Sequence, residues 1–113
     1  MSKEFPPELR LRSKADFNSL KGGDRQQVYG LRFVIRKSNL LHARLGLAVS
    51  RKFGNAVERN RLKRVLRETF RQHDICSFPM DILVYPSTSA TEEVDFSKQM
   101  SKGLDKIMAL RKT

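Results

Sequence analysis

Arg44 to Arg71 reads RLGLAVSRKFGNAVERNRLKRVLRETFR, and the fold turns on how this stretch divides. Its first seven residues alternate: Leu45, Leu47 and Val49 point one way, Gly46, Ala48 and Ser50 the other. That is the period of a strand with one buried face. The second set has no bulk, so a backbone or a ligand can approach closely. Gly54-Asn55 breaks the strand, and a helix is predicted from Ala56 to about Gln72. On a wheel of about 100° per residue, Leu62, Val65, Leu66, Thr69 and Phe70 share the side that packs on a sheet. Opposite lie Asn60, Arg64, Arg67 and Arg71, flanked by Arg59, Arg61 and Lys63.

Between Ser50 and Arg71, positions 51, 52, 59, 61, 63, 64, 67 and 71 are Lys or Arg, opposed only by Glu58 and Glu68. Like charges at i, i+4 repel by about 0.2–0.5 kcal/mol, and Lys63/Arg67 and Arg67/Arg71 stand in that relation. A merely solvated face would mix signs, whereas a polyanion would relieve the repulsion. Arg outnumbers Lys on this helix, and its planar fork matches phosphate and base edges. A lipid surface would need bulky apolar residues facing acyl chains, and here those residues are required by the sheet. Nucleic acid remains. No zinc site, zipper or helix-turn-helix surrounds the helix, which disfavours a DNA-groove reader.

Outward from this stretch, VYGLRFVIRK (28–37) also alternates. Leu31, Phe33 and Ile35 share one face, and Arg32, Val34 and Arg36 form a second, basic one. The small face of 44–50 beside Arg32 and Arg36 suggests a groove suited to a single strand, with phosphates on cations and bases on apolar or aromatic side chains. MDILVY (80–85), between Pro79 and Pro86, is predicted to be a buried strand. The series 44–50, 55–72 and 80–85 suggests a parallel crossover pair, for which the general rule is a right-handed connection. Ser89 and Glu92 have capping-box spacing ahead of a last helix striped with Phe96, Met100, Leu104, Ile107 and Met108. Residues 1–12 read as an extended arm. Ser13 caps a short helix carrying Phe17 and Leu20, ended by Gly22-Gly23. The expected order is αββαβα: an α+β sandwich, one sheet backed by helices, in a single domain of 113 residues.

A net charge of +11 is a statement about partners. No apolar run reaches the length of a membrane span, and MSKEFPPELRLRSK lacks a signal-peptide core. Cys76 is alone, so no internal disulfide forms and a reducing cytoplasm is expected. His42 and His73 read as neither ligands nor bases. No His, Cys or carboxylate cluster has metal-ligand spacing. Asp16, Asp24, Asp74 and Asp81 are scattered, so no catalytic residue is expected.

RLGLAVSRKFGNAVERNRLKRVLRETFR resembles the signature of the bacterial ribonuclease P protein component: a Gly-Asn/Arg-Ala turn, then an Arg-Asn-Arg triplet, here Arg59-Asn60-Arg61, then further cations on the same helix. FPPELRLRSKADF (5–17) is similar to that family's arm and first helix. The resemblance implies a mixed sheet with a left-handed βαβ crossover, related to a ribosomal-protein domain 2-like fold. It implies a subunit of a ribonucleoprotein endoribonuclease that removes the 5′ leader of precursor tRNA. Catalysis with Mg2+ would belong to the RNA subunit. The protein would bind that RNA and the single-stranded leader, raise substrate and metal affinity, and require no protein partner. Carried over by position, Arg59, Asn60, Arg61, Lys63, Arg64 and Arg67 are the main RNA contacts. Asn55 and Arg71, at the ends of that helix, and Arg51 and Lys52, the basic pair before its turn, would also bind RNA. The leader cleft would comprise Phe17, Arg32, Val34, Arg36, Ala48 and Ser50, with packing in the core as the alternative for Phe17. Val34 stands near a position where some relatives carry an aromatic, and Lys21 replaces a second cleft aromatic, leaving Arg32 and Arg36 to supply charge. The alternative is a structural, ribosomal-type RNA-binding protein with no part in processing, which composition does not separate.

Overall fold

The computed structural model describes residues 10, 11, 20 and 22–111. Most of the expected arm and first helix, with Phe17 and Lys21, lies outside them. The chain forms β1 (Asp24–Val28), β2 (Leu31–Lys37), β3 (Arg44–Leu47), α1 (Ala56–Gln72), a 3₁₀ turn (Asp74–Ser77), β4 (Met80–Pro86) and α2 (Phe96–Arg111). The sheet order is β1-β2-β4-β3. β1 and β4 flank β2 antiparallel, while β3 runs parallel to β4. The molecule is therefore an α+β fold with one mixed sheet, and α1 links the parallel pair.

Three expectations need correction. The strand expected over 28–37 is two strands, because Tyr29 and Gly30 turn the chain and β1 pairs back on β2 from Val28↔Leu31 to Asp24↔Ile35. The described order is thus βββαβα. Gly30 has φ +85°, and a Cβ there would lie 2.9 Å from Val94 Cγ1, so the turn needs glycine for both backbone and packing. The strand expected over 44–50 ends at Leu47, although the Ala48 N–H still donates to the Val84 carbonyl at 3.1 Å. Ser89 and Glu92 cap no helix. The Ser89 hydroxyl pairs with the Thr91 hydroxyl at 2.7 Å, and Asp95 caps α2 by accepting from the Lys98 N–H at 3.1 Å. Residues 87–95 are needed to cross from β4 to α2. On the way the Ala90 N–H donates to the Phe53 carbonyl at 2.7 Å.

The core lies between the sheet and the two helices. Leu62, Leu66 and Phe70 of α1 and Met100, Leu104 and Ile107 of α2 bury against Leu31, Phe33, Ile35, Leu45, Ile82 and Val84. Each such side chain contributes about 1.5–3 kcal/mol by leaving water. α2 approaches β2 through Gly103, where a Cβ would collide with the Phe33 ring. Beyond the end of α1, the His73 Nδ1 accepts from the Ile75 N–H at 3.0 Å, which leaves its proton on Nε2. That Nε2 meets Asp105 Oδ1 at 2.6 Å, tying the end of α1 to α2. On the other side of the sheet, Leu11 and Leu20 lie over Val34, with Leu83 and Tyr85 beside them. Leu11 docks by donating its N–H to the Leu45 carbonyl at 2.9 Å. Among the described residues no helix is long and apolar enough to cross a membrane.

Candidate nucleic-acid interface

The start of α1 is built rigidly. Phe53 is buried and meets Phe96 edge-on, ring centroids 5.8 Å apart. Its N–H donates to the Ser50 carbonyl at 3.1 Å. Anchoring Phe53 leaves Arg51 and Lys52 exposed on the same turn. Asn55 Oδ1 accepts from the Glu58 N–H at 2.8 Å, and Glu58 Oε1 accepts from the Asn55 N–H at 2.9 Å, a closed capping box. Gly54 makes room for it: a Cβ there would sit 2.5 Å from Glu58 Oε1. Asn55, expected among the RNA contacts, therefore has its carbonyl oxygen committed to the cap.

Along α1 the cations spread as an arc. Asn60, Arg61 and Arg64 are exposed. Arg59 is half-buried, and its Nη1 donates to the Gly54 carbonyl at 3.2 Å. Consecutive helix residues point about 100° apart, so the triplet does not share one face. Arg61 turns toward a depression bordered by Glu92, Glu93 and Asp95. Arg67 is half-buried at the flank rather than opposite the core, beside Arg10. Burial first, and the Arg10 charge second, hold its guanidinium below the ordinary pKa. Among the described residues Arg71 is the one cation of the arc paired with a carboxylate, Nη2 to Glu68 Oε2 at 2.8 Å. Within the described residues Arg51, Lys52, Arg61, Lys63, Arg64 and Arg67 form no ion pair.

The sheet face away from the helices is the second part of the site. β2 contributes Arg32, Val34 and Arg36, opposite Tyr85, Leu83 and Asp81 of β4. β1 adds Gln27 beside Arg32 and Arg25 beside Val34. Arg32 and Arg36 are exposed, as are Ala48 and Ser50 just past β3. Val34 is only 5% exposed beneath Leu11 and Leu20, so it is floor rather than open contact. Asp81, the buried charged side chain among the described residues, is held bidentate by Arg44, Nε to Oδ1 and Nη2 to Oδ2 both at 2.9 Å. Its charge is thereby balanced beneath the basic face.

Residues 5–109 match the family described as Ribonuclease P. The chain belongs to that family. It is 40% identical over 101 residues to the ribonuclease P protein component of a Thermotoga species, covering 85% of this chain and 86% of that protein. It is 36% identical over 105 residues to that of Streptococcus gordonii, covering 91% and 86%. Among solved structures, the Staphylococcus aureus RNase P protein aligns with a TM-score of 0.74 at 30% identity, covering 92% of this chain and 95% of that one. The Thermotoga maritima RNase P protein aligns at 0.72 and 36% identity, covering 87% and 93%.

The residues implied by the resemblance fall in two places in the fold. The α1 cations, with Arg51 and Lys52 on the turn before them, are spread around the helix as an arc. Arg32 and Arg36 lie on the sheet face, with Ala48 and Ser50 just past β3. Phe17 lies outside the described residues. Tyr85, Leu83, Arg25 and Gln27 were not anticipated. The alternation Asp81, Leu83, Tyr85 within MDILVY is the signal for the first two, and β1 carries no comparable signal. Among the described residues no group of three or more His, Cys, Asp or Glu comes together to hold a metal ion. Cys76 donates its thiol to the Phe70 carbonyl at 2.8 Å, and burial raises its pKa to about 11, so it is a poor nucleophile.

Proposed function

We propose that the cationic arc of α1, with Arg51 and Lys52, binds the catalytic RNA subunit of ribonuclease P, while the open sheet face carries the single-stranded 5′ leader of precursor tRNA. The observation that carries this reading is the arc itself. Asn60 and Arg64 stand exposed, Arg67 feels the positive charge of Arg10, and none of Arg61, Lys63, Arg64 and Arg67 is in an ion pair within the described residues. Such an arrangement is self-repulsive in the isolated protein and is relieved by phosphates. Two RNAs that repel each other can then lie along one protein, which raises the affinity of the holoenzyme for substrate and for the cations between the strands.

In this reading the chain supplies no catalytic residue. Mg2+ is held by RNA phosphates, and the RNA subunit carries the cleavage chemistry. The protein positions the substrate, balances charge and requires no protein partner. Action on precursor tRNA implies a cytoplasmic location.

Reconstitution tests the proposal. The protein is mixed with ribonuclease P RNA at low Mg2+, and cleavage of a precursor tRNA is followed. Stimulated removal of the leader is expected. RNA binding without stimulation would instead favour a structural, ribosomal-type protein, and cleavage by the protein alone would overturn the assignment of chemistry to RNA.

A further inference from the structure

A depression of about 320 Å³ opens at the β1 edge of the sheet, where Arg25, Gln27, Arg32 and Tyr85 of the open face meet Gln26, Phe33 and Lys106 of the helix side. Gln27 lies opposite Arg32, and Arg32 lies opposite Tyr85, so an amide, a guanidinium and a phenol form one row across three strands. Directly opposed side chains in such a row stand about 4.5–5.5 Å apart, the scale of a nucleobase and its attached phosphate. Tyr85 is half-buried and packs with the apolar group around Val34, which fixes its ring. Arg25 and Arg32 are exposed and form no ion pair within the described residues. Lys106 reaches over from α2, its Nζ donating to the Gln27 carbonyl at 3.4 Å. Among the described residues no carboxylate lines the depression.

We infer that this depression is a subsite for one nucleotide of a single-stranded RNA. The base lies against the Tyr85 ring, its polar edge meets the Gln27 amide, and its phosphate sits between Arg25 and Arg32. The chemistry follows from the lining: every nucleobase has a face for an aromatic ring, and phosphate takes arginine forks. The subsite rests on the reading that the open face carries the leader and extends its path to the β1 edge. It also supplies the aromatic contact that Val34 and Lys21 do not.

The experiment measures substrate affinity of the reconstituted holoenzyme, using precursor tRNAs whose leader is shortened one nucleotide at a time or carries a single abasic position. Tyr85→Leu, which keeps the apolar contact with Val34, is expected to weaken binding of the full-leader substrate about fivefold or more, the low end for stacking one base on a ring. Tyr85→Phe is expected to bind like the wild type. An abasic nucleotide at the contacted position should weaken the wild type and leave Tyr85→Leu unaffected. Arg25→Ala, on an exposed strand, should also lose affinity for long leaders only. A wild-type enzyme indifferent to leader length would sink the leader reading itself. Leader dependence that survives intact in both Tyr85→Leu and Arg25→Ala would overturn the subsite alone.

Discussion

β2 turns Leu31, Phe33 and Ile35 toward α1 and α2, and turns Arg32, Val34 and Arg36 the other way. The two sets alternate along the same seven residues, yet they answer to different constraints. On the helix side each side chain must fill a space shaped by Leu62, Leu66, Phe70, Met100 and Leu104. On the far side only Val34 is covered, and the arginines on either side of it are exposed. One face therefore holds the protein together, and the other presents exposed arginines, which the proposed function assigns to RNA. Substitutions on the two sides should separate cleanly into losses of stability and losses of RNA binding.

The strongest way to break the closed side is Leu62→Asp. It would bury a carboxylate in the core, a cost of several kcal/mol against a total stability of about 5–15 kcal/mol. Loss of the folded far-UV circular dichroism signal is expected. A cooperative melt close to wild type would mean that α1 does not pack as described. Gly103→Ala is a milder version. The added methyl meets the Phe33 ring, which is fully buried and cannot swing away. Overpacking of this kind costs about 1–3 kcal/mol and should lower the melting temperature, with RNA affinity of the folded fraction unchanged.

The closed side is also the part most readily read from the sequence. The span of α1 and its stripe follow from helical periodicity and from Gly-Asn at its start. The stripe from Phe96 to Met108 holds although its helix begins later than the Ser89 and Glu92 spacing suggested. Periodicity works there because each position touches the sheet through its own side chain. It fails for β1, whose DRQQV has one apolar residue and becomes a strand only by pairing with β2. It fails for Val34, which is buried by Leu11 and Leu20 from elsewhere in the chain. The row Gln27, Arg32, Tyr85 exists only through the register of three strands, which a linear sequence does not display. The His73–Asp105 link from the end of α1 to α2 is likewise made by packing between distant segments.

On the open side of the comparison, Arg64→Ala with Arg67→Ala should leave the melt nearly unchanged, since neither side chain is in an ion pair within the described residues. Removing Arg67 also relieves the crowding against Arg10. RNA affinity should fall and become less sensitive to salt. Each lost phosphate contact reduces the log–log slope by about 0.7 to 0.9. An unchanged slope with a weaker affinity would place the phosphates elsewhere on the protein and leave α1 with an indirect role.

The smallest effect concerns Cys76, on the closed side beneath the end of α1. Burial raises its thiol from 9.0 to about 11. Below pH 9 the thiol is protonated whether the chain is folded or not, and the full stability is present. Between those two values the unfolded chain releases the proton and the folded chain retains it, so stability falls as pH rises. The side chain is half-buried, which limits the size of the effect. Tyr and Lys side chains titrate in the same range, so the informative quantity is a difference. Urea midpoints of wild type and Cys76→Ala, followed from neutral pH upward, should keep a constant offset until about pH 9, after which the wild type should decline more steeply. Parallel curves would mean that the thiol stays in water, and that the core closes less tightly around the 3₁₀ turn than its hydrogen bond to Phe70 implies.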